Sequence, residues 1–434
     1  MINTVKRIAI ISEHASPIAL FGGVDSGGQN VYVGQLAKNL ALLGYEVDVF
    51  TRRDNNRLPK IFPWIKGVRI IHVTAGPPEF IPKEDLFPYM TQFIEYTARF
   101  LKNSKKHDII HANFWMSGFV AMNLKRSLGV PFVITFHALG HVRRLHQREA
   151  DKFPEIRSMI EDCIMKEADH IIAECPQDKE DMIHFYTHAK PEKITIIPCG
   201  FDPSELWPMK KNSARTALWF KSNEKLILHL GRMVPRKGVD NVIYGFALCI
   251  KNYHINARLI IGGGETSIPE LFILSPEIAR LQRIASEEGI LDKIYFTGQL
   301  SRNELKYYYS AADMFVTTPW YEPFGITPIE AMACGTTVIG SNVGGIKYTV
   351  VDGETGFLVS TNCPKELSER MAYLYKRPAV RNIFQKQAIK RANDFFTWER
   401  VVADIATLYR KVLHTRSVRL EEEVFSLGDR KLFL

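Results

Sequence analysis

Short apolar runs separated by helical periodicity recur along the whole chain. In the first half they lie at 7–12, 46–51, 69–73, 108–112, 131–136, 170–174 and 194–198. In the second half they lie at 225–230, 257–261, 293–297, 314–318 and 336–340. Between them apolar positions repeat at helical spacing, as from Gln29 to Leu43, Phe93 to Lys102, Val239 to Ile250 and Ile278 to Glu288. This alternation predicts parallel sheets with helices on both faces. The series breaks after Pro198-Cys199-Gly200-Phe201-Asp202-Pro203, where Gly/Pro punctuation leads into a polar stretch up to Lys225. The expected architecture is α/β, with two doubly wound, Rossmann-like domains, residues 1–203 and 204–395, facing across a cleft. A long helical stretch, Pro378 to His414, follows the last strand, and residues 396–434 are expected to form a closing helix and a charged tail. Ligands in such folds bind beyond the C-terminal ends of the strands, so the segments after each strand carry the candidate chemistry.

The 434 residues, 46% of them hydrophobic, suffice for two cores. No apolar stretch approaches the roughly 18 residues of a membrane span. The opening Val5-Lys6-Arg7-Ile8-Ala9-Ile10-Ile11 is too short for a signal-peptide core and reads as a first strand. Cysteines 163, 175, 199, 249, 334 and 363 are scattered without C-x-x-C spacing, which suits free thiols in a reducing, cytoplasmic setting. A net charge of +9 favours anionic partners: nucleotides, sugar phosphates or an acidic membrane surface. The basic residues are spread out, with no interleaved basic–aromatic module, so nucleic acid is not expected as a partner.

The richest segment is 320–345, Trp-Tyr-Glu-Pro-Phe-Gly-Ile-Thr-Pro-Ile-Glu-Ala-Met-Ala-Cys-Gly-Thr-Thr-Val-Ile-Gly-Ser-Asn-Val-Gly-Gly. Pro323 steers Glu322 into extended backbone. After Phe324, Gly325 lets the chain approach a ligand closely. The amides of Gly325, Ile326 and Thr327 then open a helix, and such a terminus attracts phosphate. Glu330 lies deeper in this apolar helix, where a charge without a partner is expensive. Carboxylates for hydroxyls beside amides for phosphate suit a sugar nucleotide.

Three other segments point the same way. The loop after the first strand carries Gly22, Gly23, Gly27 and Gly28 before a helix, which can aim backbone amides at an anion. It lacks the G-x-G-x-x-G spacing and the later acidic residue of a dinucleotide site, which argues against NAD. Leu228-His229-Leu230-Gly231-Arg232-Met233-Val234-Pro235-Arg236-Lys237-Gly238 supplies a planar guanidinium fork and a mobile ammonium, Arg232 and Lys237, fit for a diphosphate. Arg236 is expected to face solvent. His137 follows another strand, and three roles stay open for it: core residue, metal ligand or base. His141 and His146 lie nearby, but no carboxylate or cysteine spacing completes a zinc site and no D-x-D is present. Neither metal nor cofactor is expected.

The Glu322–Glu330 segment resembles the E-x7-E signature of retaining GT-B glycosyltransferases, family 4 in particular. The likeness covers residues 5 to about 400, with five motifs in the family's order, including the G-R-x-x-x-x-K-G of Arg232 and Lys237. The stretch from Ile11 to Arg52 is similar to the branch with small acceptors. Sucrose-phosphate synthases, mannosylfructose-phosphate synthases and the inositol-phosphate N-acetylglucosaminyltransferases of mycothiol synthesis belong to it. The resemblance implies a UDP- or GDP-hexose donor and a small anionic acceptor. By it, Arg232, Lys237, Gly28, Phe324 and the amides at 325–327 hold the donor, with Glu322 on the sugar's 3- and 4-hydroxyls and Glu330 on the ribose. His137 touches the hydroxymethyl group beside the reacting carbon. Gly27 and Asn30 face the acceptor, and Lys83 and Arg157 hold its phosphate. Phe114 and Ala138 stand where the mycothiol enzymes carry hydroxyls, which implies an acceptor other than inositol phosphate. Arg232, Lys237, His137 and Glu322 form the implied catalytic set, with same-face attack and the departing phosphate taking the acceptor's proton. Rival readings are a lipid-linked or oligosaccharide acceptor at a membrane surface, a sugar-nucleotide 2-epimerase, a glycosidase, and a binding protein without turnover.

Overall fold

The computed structural model describes residues 6–18, 27–264 and 275–430, with side chains to 418. The first half runs β1 (Arg7–Ile11), α1 (Gly28–Leu42), β2 (Glu46–Arg52), β3 (Ile61–Ile65), β4 (Val68–Val73), α2 (Met90–Lys102), β5 (Ile109–Asn113) and α3 (Trp115–Leu128). It continues β6 (Phe132–Thr135), α4 (Gly140–Gln147), α5 (Arg157–Glu167), β7 (His170–Ala173), α6 (Pro176–Phe185) and β8 (Ile194–Ile196). The second half runs α7 (Lys211–Ala217), β9 (Leu226–Leu230), α8 (Val239–Tyr253), β10 (Arg258–Gly262), α9 (Pro276–Glu287), β11 (Ile294–Gly298), α10 (Arg302–Ala311) and β12 (Met314–Thr317). It ends α11 (Ile326–Ala333), β13 (Thr337–Ser341), α12 (Ile346–Thr349), β14 (Gly356–Val359), α13 (Pro364–Lys376), α14 (Pro378–Phe395) and α15 (Trp398–Arg430).

These strands form two sheets, ordered β3-β4-β2-β1-β5-β6-β7-β8 and β11-β10-β9-β12-β13-β14. Pairing is parallel throughout except for β3, which runs antiparallel to β4. In each sheet the strand order reverses at one point: beside β1, where Ile8 pairs with both Val47 and Ile109, and beside β9, flanked by β10 and β12. Crevices open at such switch points. The glycine loop follows β1, and the Arg232–Lys237 segment follows β9. The central runs are buried on both faces, as parallel sheets require: Ile8, Ile10, Leu228 and Ile260 are all fully inside.

Two features depart from the periodicity reading. The strands β3 and β14 have no counterpart among its runs; Pro63 interrupts the first, an edge strand, and the second spans four residues. The expected helix over 378–414 is two helices. Its break at Phe396-Thr397 is held by backbone pairing with Phe201, whose N–H donates to Phe396 O at 2.8 Å and whose carbonyl accepts from Trp398 N at 3.0 Å. Helix α15 then packs on α1 of the first half, and the Tyr409 hydroxyl meets His111 Nδ1 at 2.7 Å. Among the described residues no helix is long and apolar enough to cross a membrane.

Candidate functional site

The two sheets meet at a cleft of about 460 Å³ lined by both halves. On the second-half wall, β9 ends at Leu230, and Arg232 and Lys237 follow on a turn closed by Gly238. Gly238 has φ 63°, and a Cβ there would collide with the Thr318 carbonyl oxygen, so only glycine lets the turn sit against β12. The Lys237 ammonium pairs with Glu322 Oε2, and Arg236 Nη1 lies 4.0 Å from the same oxygen. Arg236 also donates to Tyr321 O at 3.2 Å, so it is part of the cleft wall and not the solvent-facing residue expected from sequence. Its guanidinium is drawn in by the Glu322 carboxylate and by the Tyr321 carbonyl.

These charges shape one another. Burial pushes the Lys237 ammonium down to about 8, against the pull of Glu322. Burial opposes the Glu322 charge as well, but Lys237, Arg236 and Arg232 outweigh it and hold the carboxyl below its ordinary range. Glu322 is therefore anionic and preorganised at the cleft. Behind it, Gly325 begins α11 with no side-chain cap. Gly325, Ile326 and Thr327 line the cleft with Phe324, which leaves the positive end of the helix facing it. Deeper in α11, Glu330 is 3% exposed. It accepts from the Tyr309 hydroxyl at 2.9 Å and from Arg302 Nη1 at 3.3 Å, so the buried charge is paired. Arg302 lines the cleft too and escaped the sequence reading; it opens α10, far from either motif along the chain.

The first-half wall presents the start of α1. A Cβ on Gly28 would lie 3.4 Å from Ile326 Cδ1, and one on Gly27 4.0 Å from Arg232 Nε, so the glycine loop faces the two basic and apolar motifs opposite. Gly22 and Gly23 lie outside the described residues. His137 sits on the cleft wall with φ 59°, a conformation uncommon for a residue with a side chain. Its Nδ1 is 3.1 Å from Glu174 Oε1, its Nε2 3.0 Å from Asn113 Oδ1, and Tyr32 packs edge-on at 4.8 Å. Lys83 reaches the cleft, its ammonium 3.9 Å from Glu84 Oε1.

One expected acceptor contact needs correction, and another is shared with the loop that carries it. Asn30 touches the cleft, but its amide closes the loop: Oδ1 accepts from Gly27 N and Nδ2 donates to Ser16 O, both at 2.9 Å. Arg157 is 2% exposed and absent from the cleft wall. Its Nε bonds Glu161 at 2.8 Å, and its guanidinium is boxed by Phe114 and Phe153 at 4.9 and 4.7 Å. The helical i,i+4 spacing of Arg157 and Glu161 on α5 turns the cation inward. In its place Arg143 of α4 lines the cleft, held by Asp151 at 3.0 Å and stacked on Phe153 at 5.0 Å. Arg143, Glu174 and Arg302 are the functional candidates that sequence reasoning missed. Arg302 and Glu174 come from segments that carry no motif, and Arg143 sits on the helix after His137 with no spacing that singles it out.

Two family models match the chain: glycosyltransferase family 4 over residues 26–205 and glycosyl transferases group 1 over residues 210–391. The D-inositol 3-phosphate glycosyltransferase of Thermobispora bispora is 33% identical, covering 94% of this chain and 95% of its own. A second enzyme of that name, from Catenulispora acidiphila, is 32% identical, covering 96% and 98%. Among solved structures, sucrose-phosphate synthase from Thermosynechococcus elongatus superposes with a TM-score of 0.86 at 33% identity, covering 94% of this chain and 100% of that one. HepE of Anabaena, solved with UDP and glucose, gives a TM-score of 0.71 at 19% identity over 93% and 99%, a likeness of fold alone.

Proposed function

The chain belongs to the group 1, family 4 glycosyltransferases of GT-B fold, and on that premise we propose that it moves a hexose, with retention, from a nucleoside-diphosphate hexose to a hydroxyl of a small phosphorylated sugar or polyol. The observation that carries the donor half is the juxtaposition across one cleft of Arg232, Lys237 and Glu322 with the Gly27–Gly28 helix start. Departure of a nucleoside diphosphate puts negative charge on the leaving oxygens while positive charge grows at the anomeric carbon. Preorganised cations and helix-terminal amides stabilise that leaving charge with little reorganisation. Glu322, anionic and anchored by Lys237, accepts hydroxyl hydrogen bonds from the hexose, and Glu330 with Arg302 behind it holds the ribose. His137 stands at the hexose from the opposite wall. The leaving phosphate takes the acceptor's proton on the same face, which preserves configuration.

The acceptor half is supported by the names of the relatives, which act on inositol 3-phosphate or produce sucrose phosphate. Lys83 and Arg143 are cations on the first-half wall suited to an acceptor phosphate, whereas Arg157 is enclosed. Phe114 and Ala138 on the same wall offer no hydroxyl, which favours an acceptor other than inositol phosphate. The test is release of nucleoside diphosphate across a panel of UDP-, ADP- and GDP-hexoses, each with phosphorylated and dephosphorylated acceptors. Turnover is expected only with a phosphorylated acceptor. Turnover equally fast with dephosphorylated acceptors would remove the phosphate, and an epimer formed from donor alone would replace the reading with an epimerase.

A further inference from the structure

Glu174 follows the last residue of β7 and is 3% exposed, yet it lines the cleft. A carboxylate in that position must be held and must hold something. Its Oε1 faces His137 Nδ1 at 3.1 Å and accepts from the Cys199 thiol at 2.9 Å. Burial keeps that thiol well above its ordinary range, so it stays a donor. The Glu174 amide donates to Asp178 Oδ2 at 3.0 Å, which fixes the backbone from the next helix, α6. The anchor thus comes from two directions, α6 on one side and the segment after β8 on the other. His137 itself has a backbone that a side chain seldom adopts, and its ring is gripped at both nitrogens and on its edge by Tyr32.

We propose that Glu174 is a positioning residue of the transfer reaction, holding the His137 imidazole through Nδ1 in the orientation that turns the ring to the donor hexose. The inference rests on the transferase reading above. Histidines at reaction centres are commonly oriented by the group bonded to their second nitrogen, which fixes which nitrogen carries the proton. Here an anchored carboxylate takes Nδ1 while the Asn113 side-chain amide takes Nε2, so the two bonds together set the plane and edge that the ring presents to the cleft. A misplacement of the ring by about 1 Å is enough to cost on the order of a hundredfold in rate.

The experiment is a double-mutant cycle on kcat/KM with thermal melting of every variant. Glu174→Ala is expected to lower kcat/KM by about a hundredfold. The Glu174→Ala, His137→Ala double variant is expected to be no slower than His137→Ala alone, because both changes remove one function. Glu174→Gln keeps an oxygen for the Nδ1 proton and is expected to remain within about tenfold of the parent. Losses that multiply in the double variant, or a Gln variant as slow as Ala, would overturn the proposal in favour of direct substrate contact. A second readout needs no turnover: nitrogen-15 NMR of the His137 side chain in unliganded protein. The hydrogen-bonded Nδ1–H resonance is expected in the parent and in Glu174→Gln and absent in Glu174→Ala; an unchanged resonance in Glu174→Ala overturns the contact. Failure of the parent to use any donor would instead sink the transferase reading, with the NMR comparison still deciding the dyad.

Discussion

Lys237 offers the sharpest quantitative handle. An ordinary lysine titrates near 10.5, and burial pushes this one to about 8. That difference corresponds to ~3.4 kcal/mol by which burial disfavours the ammonium. A bound diphosphate adds counter-charge to that of Glu322, so donor binding and protonation of Lys237 are coupled. The sign follows directly. Below pH 8 the ammonium is already present, and Lys237 adds no pH dependence to the affinity for a nucleoside diphosphate. Above pH 8 each pH unit requires a proton to be taken up on binding, and affinity falls about tenfold per unit. Isothermal titration of a nucleoside diphosphate between about pH 6.5 and 9.5 measures this break. Asp178, which burial and then the Glu174 charge push up to about 8, titrates in the same window, so the control matters. Lys237→Arg keeps a cation that never loses its proton and abolishes the break if Lys237 causes it. Flat affinity across the range in the parent, or a break that survives Lys237→Arg, would refute the reasoning. Lys237→Ala should lower kcat about a hundred- to a thousandfold.

Other outcomes follow from the same geometry. Glu330→Gln keeps the volume but loses charge-assisted contacts to Arg302 and Tyr309 and to the ribose, and should weaken donor binding by ~1.5–3 kcal/mol in a binding titration; unchanged affinity would remove its ribose role. Arg157→Ala leaves Glu161 charged in the interior and should lower unfolding free energy by about 3–5 kcal/mol in a denaturant melt, whereas Lys83→Ala should leave stability nearly untouched and raise the acceptor KM. The opposite pattern would return Arg157 to the acceptor. Activity should survive EDTA, because side-chain cations and amides hold the diphosphate; a complete loss reversed by magnesium would contradict that.

What was legible in the sequence is what local chain geometry encodes. The α/β alternation, the helix starts at Gly28 and Ile326, and the Lys237–Glu322 charges all lie within short motifs whose spacing reflects a strand end and a turn. Strand β3 was hidden because Pro63 interrupts it, and β14 because four residues make a weak signal. The division between α14 and α15 was invisible because its cause is tertiary: a backbone bridge from Phe201, almost two hundred residues earlier. The same holds at the site. Nothing near Arg157 announces that Glu161 and two phenylalanines enclose it. Nor does anything beside Arg143, Glu174 or Arg302 announce the cleft, since each reaches it only when the sheets face each other. The two loop-closing bonds of the Asn30 amide carry no signature in its sequence neighbourhood either.

The most direct test of the account is the anomeric configuration of the product. Proton NMR of the glycoside formed from an α-linked nucleoside-diphosphate hexose and a sugar-phosphate acceptor reads it at the anomeric position. Same-face attack with the leaving phosphate as base predicts an α-linked, phosphorylated product from the first turnover. A β-linked product would contradict the account, because it demands attack from the opposite face and a separate protein base.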